Sequence, residues 1–395
     1  MRFNLRIKFK FKNIIFFLLL FIILLNNNQT DKYKDTSYSQ LNIDNNLNPV
    51  IRRKGKRLLY VSRHEGTLSN ILYIAKHLDF NVTSLKPNYS YTGRPNCYYK
   101  DKCQFFVKSK CSEYEYIIIS DVIPDSYIFL INKCHAKIIL EITNRFDWDV
   151  PEERKKNYYR TFAKAIKKKN ILVVENNPFE VYHACDRNIL IPYYYLIRPI
   201  GYPPNNKIMK EHIVYHDIIA IFKNLNQEIF LSNELDKLKI PYKVLPKKYG
   251  GPLILATYKA VILMPYQISI MKTLENLRYG VPMIIPSEGL LRNISRDNYT
   301  FVSKEVFDIQ NGARNYIDFY NDEFKGLFIY FDNFTDIKNI IKNKDFKKIR
   351  QKEKKFMKNY EKKAIIMWSE VLDILPKKEF MILDKQPLCK NKKFY

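Results

Sequence analysis

From Arg57 onward, short continuous apolar runs alternate with longer stretches whose apolar residues recur every third or fourth position. A continuous run bounded by turn residues reads as a strand buried on both faces; the recurring spacing reads as an amphipathic helix. On that basis "RLLYVS" is a strand, "RHEGTLSN" a loop holding Gly66 and the capping residues Thr67 and Ser69, and "ILYIAKHLDF" a helix. Strands follow at "NVTSLKP", "YEYIIISD" (ending on Asp121), "AKIILEIT", "ILVVENN" and "YYYLIRPIG", with helices at "DSYIFLINKC", "PEERKKNYYRTFAKAIKKKN" and "PFEVYHACD" between them. After the hinge-like "GYPPNN" the pattern restarts. Its strands are "HDIIAIF", "PYKVLP", "AVILMPY" and "VPMIIPS", and its helices are "NQEIFLSNELDKLKI", "SIMKTLENLRYG" and one opened by the Gly-rich turn of "YGGPLILATYK". A basic helix from about Asp345 to Leu375 is placed to cross back and brace the first half. Such alternation gives parallel, doubly wound sheets. Two series predict an α/β protein with two Rossmann-like domains facing across a cleft, ligands lying at the carboxyl ends of the strands.

The divisions follow from where the pattern changes. Residues 57–203 form the first domain, 204–375 the second with its closing helix, and 376–395 a basic tail. Ahead of them, residues 26–56 are polar, Asn-rich and unpatterned, which suits a stem or linker. Residues 1–13 carry Arg2, Arg6, Lys8, Lys10 and Lys12, and residues 14–25 are an unbroken apolar run. A basic flank before an apolar run is a secretory targeting element. Its shortness favours a cleaved signal; the lack of small residues after it favours an uncleaved anchor, the reading preferred here. Positive charge then stays cytoplasmic and the bulk of the chain enters the lumen. The expected location is a Golgi or endoplasmic reticulum membrane, single-pass, with secretion as the alternative.

Composition adds a qualification. The formal net charge is +27, yet Lys, Asn, Ile and Tyr are all abundant, so part of the charge reflects compositional drift. No zinc finger, recognition helix or RNA-binding aromatic signature accompanies it, which argues against a nucleic-acid partner. Of the six cysteines, Cys97, Cys103 and Cys111 crowd one segment, read as a loop closed by a local disulfide. Glycosylation acceptors at Asn28, Asn81, Asn88, Asn293, Asn298 and Asn333 suit a luminal chain.

The most informative stretch is "MPYQISIMKTLENLRYGVPMIIP", Met264 to Pro286. Pro265, Tyr266 and Gln267 fall at a strand's carboxyl end, Lys272 and Glu275 on the next helix, and Gly280 ends that helix before Pro282. The stretch resembles the donor-sugar region of GT-B glycosyltransferases, which often read Pro-x-Glu, then Glu-Ala-x-x-x-Gly-x-Pro. The resemblance assigns Glu275 to the ribose hydroxyls, since one carboxylate accepts two O–H hydrogen bonds, and Gln267 to the sugar. Here Gln stands where the family has its first Glu, so a standard retaining mechanism is not implied. The segment also resembles exostosin-type and fucosyltransferase families, which are inverting. Residues 57–370 are similar to fungal glycosyltransferase-like proteins carrying comparable "EITNRFDW", "NNPFEVY", "YGGP" and "ENLRYGVP" blocks.

The resemblance implies a nucleotide-sugar donor, a carbohydrate or glycoconjugate acceptor, and no essential metal or other cofactor. Backbone N–H groups at Gly66 and Thr67 open a helix and suit an anion; Gly250 and Gly251 precede another and would lie near the nucleotide. His64 and Asp147 are the candidate bases for the acceptor hydroxyl. Asp147 lies in a strand-end group with Glu141, Asn144, Arg145 and Asp149. Asp147-Trp148-Asp149 also forms a D-x-D string, a metal–diphosphate signature in GT-A enzymes that the two-domain pattern argues against. Arg198 and Lys272 are the cations for the leaving diphosphate, and the usual Arg-x-x-x-x-Lys pattern is missing, with only Lys223 nearby. Closure about residues 200–206 would exclude water. The rival class is a non-catalytic carbohydrate-binding protein on a degenerate transferase fold. A weaker third is a secreted protein using its basic surface on acidic polysaccharide.

Overall fold

The computed structural model describes residues 55–87, 101–202, 215–223, 227–296, 302, 304–309, 312–378, 381–382 and 395. Residues 1–25, nearly all of the stem and the junction at 203–206 lie outside the described residues. Among those described, no helix is long and apolar enough to cross a membrane.

The expected pair of doubly wound sheets is present. The first holds β1 (Arg57–Val61), β2 (Asn81–Leu85), β3 (Tyr116–Ser120), β4 (Lys137–Ile142), β5 (Ile171–Glu175) and β6 (Tyr193–Leu196), all parallel, in the order β6-β5-β4-β3-β1-β2. The second holds β7 (His216–Phe222), β8 (Tyr242–Leu245), β9 (Tyr258–Ile262), β10 (Met283–Pro286) and β11 (Ile329–Phe331), also parallel, in the order β11-β10-β9-β7-β8. A two-residue strand, β12 (Met381–Ile382), adds antiparallel to β6.

Helices cover both faces. In the first half these are α1 (Glu65–Leu78), α2 (Asp101–Glu113), α3 (Tyr127–Ile131), α4 (Glu152–Ala165) and α5 (Pro178–Asp186). In the second they are α6 (Gln227–Lys237), α7 (Pro252–Leu255), α8 (Met271–Tyr279), α9 (Glu288–Arg296), α10 (Lys304–Asp308), α11 (Gly312–Tyr316) and α12 (Asp336–Asn343), followed by the long α13 (Phe346–Val371).

Strand alternation explains the core. Successive side chains point to opposite faces, so Leu58, Tyr60, Ile118 and Ile139 enter one cluster while Leu59, Val61, Ile117 and Leu140 enter another. The first of these clusters also takes Ala220, Val261, Met283 and Ile285 from the second sheet, together with residues of α1, α8 and α13. One continuous apolar layer therefore belongs to both halves.

α13 knits that layer together. Tyr360 accepts from the Arg198 backbone N–H at 2.5 Å, Glu370 accepts from Tyr195 at 3.0 Å, and Glu361 accepts from both Tyr73 and Arg278. The Arg350 guanidinium donates to four carbonyls, those of Ala256, Tyr258, Lys259 and Gly280.

Three local expectations are corrected. The cysteine-rich segment is helical from Asp101: Cys103, Val107 and Cys111 are spaced by four and share a buried face. Cys111 bonds Cys134, with Cα atoms 5.2 Å apart, rather than a neighbour in its own segment, and Cys103 and Cys185 are also disulfide-bonded. "DSYIFLINKC" yields only α3, because Pro124 starts a 3₁₀ turn at Ile123–Ser126 ahead of it. The helix after the glycines stops at Leu255, since β9 starts at Tyr258.

Candidate functional site

In each sheet the chain reverses its direction of winding at one place. In the first sheet β1 has β2 on one side and β3 on the other; in the second β7 lies between β8 and β9. The connections leave on opposite faces there and open a crevice at the carboxyl ends.

The first crevice is lined by the residues after β1 and β3. His64 caps α1: its Nδ1 accepts from Gly66 N–H at 3.1 Å, and its carbonyl accepts from Thr67 Oγ1 at 2.9 Å. This engages the Gly66 N–H that was expected to meet an anion. It also fixes the neutral ring's proton on Nε2, so outwardly His64 is a donor rather than a base. Arg63 forms a two-pronged pair with Asp125, at 2.9 and 2.5 Å, and lies 3.7 Å from Asp149. Burial pushes Asp125 up to about 6 despite that pair.

Asp121 completes this crevice. It is held in the left-handed region at φ 68°, which Asp tolerates better than most residues. Burial raises its pKa, with His64 and Arg63 opposing, and its carboxylate makes no hydrogen bond among the described residues. Its signal in the sequence is an Asp that ends the strand beside the winding reversal, whereas the sequence reading names Asp147 as the carboxylate base.

Asp147 is unsuited to the base role. Its carboxylate accepts from Tyr159 Oη at 2.6 Å, His183 Nε2 at 2.8 Å and Arg187 Nε at 3.2 Å. Burial alone would raise it, but these partners, His183 foremost, pull it down to about 2. A carboxylate so stabilised is a poor proton acceptor. Asp149 turns instead towards Arg63, so the two acids of the D-x-D string have different partners. Asn177 caps α5 through Phe179 N–H and donates to Asp318, and Asn176 donates to the Thr143 carbonyl, which makes both structural.

Arg198 is likewise committed elsewhere. It is 3% exposed, pairs with Asp318 at 3.3 Å and Glu323 at 2.6 Å, and lies over the Phe324 ring. It ties the halves together and is not free to clamp a diphosphate. Gly280 sits at the far end of α8 with φ 66°; a Cβ there would meet Lys354 of α13 at 2.7 Å, so the residue serves helix termination and packing.

The second crevice gathers the remaining candidates. Lys272 and Glu275 are one turn apart on α8, facing Phe222 at the end of β7, Tyr249 after β8 and Tyr266 after β9. Lys272 Nζ lies 3.9 Å from the Phe222 ring centroid and 4.2 Å from that of Tyr249. Burial lowers the ammonium to about 8, with Glu275 opposing, and burial raises Glu275, with Lys272 opposing. Tyr249 and Tyr266 are raised by burial and then by Glu275. Gly250 and Gly251 (φ 94° and 82°) bring the chain from Tyr249 into α7, and Gln267 is exposed on the loop ahead of α8. Among the described residues neither Lys272 nor Glu275 has an ion-pair or hydrogen-bond partner, although each is largely removed from water. Two desolvated, opposite charges left open towards a crevice suit a ligand carrying both anionic and hydroxyl groups.

The crevices adjoin. A Cβ built on Gly66 would lie 3.1 Å from Met271 Cε, so the start of α1 abuts the start of α8. Fold and site together define a two-sheet α/β protein whose two winding reversals lie beside each other.

No protein-family model matches the chain, and no curated protein matches it by sequence. Among solved structures, the T4 phage beta-glucosyltransferase is similar at 12% identity and a TM-score of 0.42, over 81% of this chain and 100% of that one. The C-terminus of E. coli RcsC, containing a linker region and a phosphoreceiver domain, gives 11% identity and a TM-score of 0.15, over 66% and 90%. Neither likeness bears on the chemistry, which rests on this chain's own residues.

Proposed function

We propose that the protein is a glycosyltransferase moving a sugar from a nucleotide-sugar donor to a glycan, protein or lipid acceptor in the secretory pathway. The observation carrying this reading is the open Lys272–Glu275 pair within the Phe222, Tyr249 and Tyr266 rings. An aromatic wall suits a nucleobase, Glu275 a ribose diol, and Lys272 the negative charge of a diphosphate. At the neighbouring winding reversal, Asp121 is the base that would take the acceptor proton, its raised pKa suiting that task. His64 Nε2–H and Gln267 would donate to the sugar or phosphate oxygens. No step in this scheme needs a metal. The disulfide-bonded cysteines support an oxidising compartment, and residues 1–25 would hold the chain at a Golgi or endoplasmic reticulum membrane.

The test is thermal unfolding of the full-length chain against a panel of nucleotides and nucleotide sugars. A specific ligand at a hundred times its dissociation constant adds about 2.7 kcal/mol. Stabilisation by one nucleotide class, lost in Glu275→Ala but kept in Asp121→Asn, supports the donor assignment. Sugar transfer lost in Asp121→Asn supports the base. Stabilisation by no nucleotide overturns the donor site. Nucleotide-sugar binding with no turnover on any acceptor favours the carbohydrate-binding alternative, for which Gln267 in place of Glu is the supporting feature.

A further inference from the structure

The outer face of α13 is chemically uniform. Between Lys347 and Lys363 its exposed residues are Gln351, Asn359 and eight lysines, at 347, 348, 352, 354, 355, 358, 362 and 363. The two acids in that span are turned away. Glu353 is fully buried, and Glu361 is bound to Tyr73 and Arg278. Burial also pushes Glu353 up to about 9, so it is neutral at pH 7 and offsets none of the charge. None of the eight lysines has an acid within ion-pair distance among the described residues. Some lysines elsewhere do: Lys110 pairs with Glu113, Lys155 with Glu152 and Lys237 with Glu234.

This arrangement carries a cost. Lys348 and Lys352, Lys354 and Lys358, and Lys358 and Lys362 are like-charge pairs one turn apart, each unfavourable to the helix. The chain has 40 acidic residues with which to relieve them and places none on this face. The span is about 24 Å long at 1.5 Å per residue, and it is held rigid from beneath by the Arg350 and Tyr360 contacts.

The side-chain chemistry selects the partner. Within the span no exposed apolar residue is present to enter a lipid interface; Ile366, 45% exposed, lies beyond it. No aromatic ring is exposed there to stack on bases, and no outward arginine is present to read phosphates in two-pronged fashion. What remains is a row of hydrated point charges with two amides between them. We infer that the outer face of α13 is a docking surface for an acidic polysaccharide, laid along the helix and separate from the donor crevice.

The experiment uses the full-length chain and fluorescent heparin, dextran sulfate, neutral dextran and a short random DNA duplex at about 0.15 M salt. The inference expects both sulfated polymers to bind and neutral dextran not to. It expects the Lys352→Gln, Lys355→Gln, Lys358→Gln, Lys362→Gln variant to bind heparin at least about tenfold more weakly, with a shallower salt dependence. A control with the same charge change, Lys108→Gln, Lys156→Gln, Lys164→Gln, Lys169→Gln, should lose less than about half its affinity. Equal losses in the two variants would assign binding to net charge and overturn the inference. Tighter binding of duplex DNA than of either sulfated polymer would overturn the choice of partner, and no binding at all would overturn the surface. Because all eight substituted positions are exposed, matched circular dichroism and melting of each variant separates lost binding from lost fold.

Discussion

Replacing Asp147 with Asn keeps the shape of the side chain and removes its charge, leaving Tyr159, His183 and Arg187 facing an amide. The carboxylate's fall from 3.8 to about 2 measures what those partners contribute beyond the opposing burial. At about 1.4 kcal/mol per pH unit this is about 2.4 kcal/mol of folding free energy. The sign is fixed by the direction. A carboxylate with a depressed folded pKa stabilises the fold fully above its unfolded value, near 4, and loses that contribution as pH falls through about 2. The gap between wild type and Asp147→Asn should therefore be about 2.4 kcal/mol at pH 6 to 7 and about half that at pH 3. Urea unfolding at a series of pH values, followed by tryptophan fluorescence and circular dichroism together, reads the gap. A gap that is absent at pH 7, or the same size at pH 3, would refute the assignment of Asp147 as a buried structural anion. Full sugar transfer by a folded Asp147→Asn variant would agree with it.

Three other outcomes follow from the same geometry. Lys272→Met relieves a desolvated ammonium, so the variant should melt higher by an amount worth about 1 kcal/mol or more, yet lose stabilisation by nucleotides; a lower melting temperature would count against the open charge. Arg198→Met strands Asp318 in the interior without its cation and should cost about 3–5 kcal/mol by urea unfolding. Gly201→Ala combines φ 79° with a Cβ placed 2.5 Å from the Leu274 carbonyl oxygen, so it should destabilise by more than about 2 kcal/mol, and an unchanged midpoint would show that the junction can shift.

The sheets were legible because their strands are apolar on both faces, and "YIIIS" or "ILVVE" needs no partner to be recognised. Their parallel, doubly wound character followed from strand–helix alternation, whereas the order of the strands is set by the structure. Less legible was the shared core, since nothing in Ile200 or Leu274 says that they enter one apolar cluster spanning two halves. At the site, chemistry was read more reliably than commitment. Lys272 and Glu275 were singled out by the resemblance of their stretch to a donor-sugar pattern and by their charge, and the structure sets them side by side on α8. Asp147 and Arg198 misled because their partners are remote: His183 lies 36 positions beyond Asp147, and Asp318 lies 120 beyond Arg198. The helix of Cys103, Val107 and Cys111 was visible in their spacing but masked by the polar, weakly amphipathic residues between them. The rings of Phe222 and Tyr266 were hidden among the many aromatics of this chain.

The long terminal helix has a consequence for how the molecule is made. Tyr116 and Lys137, both in the first sheet, donate to the carbonyls of Leu372 and Val371, and Arg350 closes carbonyls of the second half. A ribosome delivers these partners only after both sheets have been made. Neither half can finish its interior before then, although domains of large proteins usually mature in turn as they emerge. The growing polypeptide must wait, with apolar strands uncovered, until α13 arrives. A stop codon just ahead of Arg350 should therefore be as damaging as an early one, and the nascent chain should depend on chaperones until α13 is made.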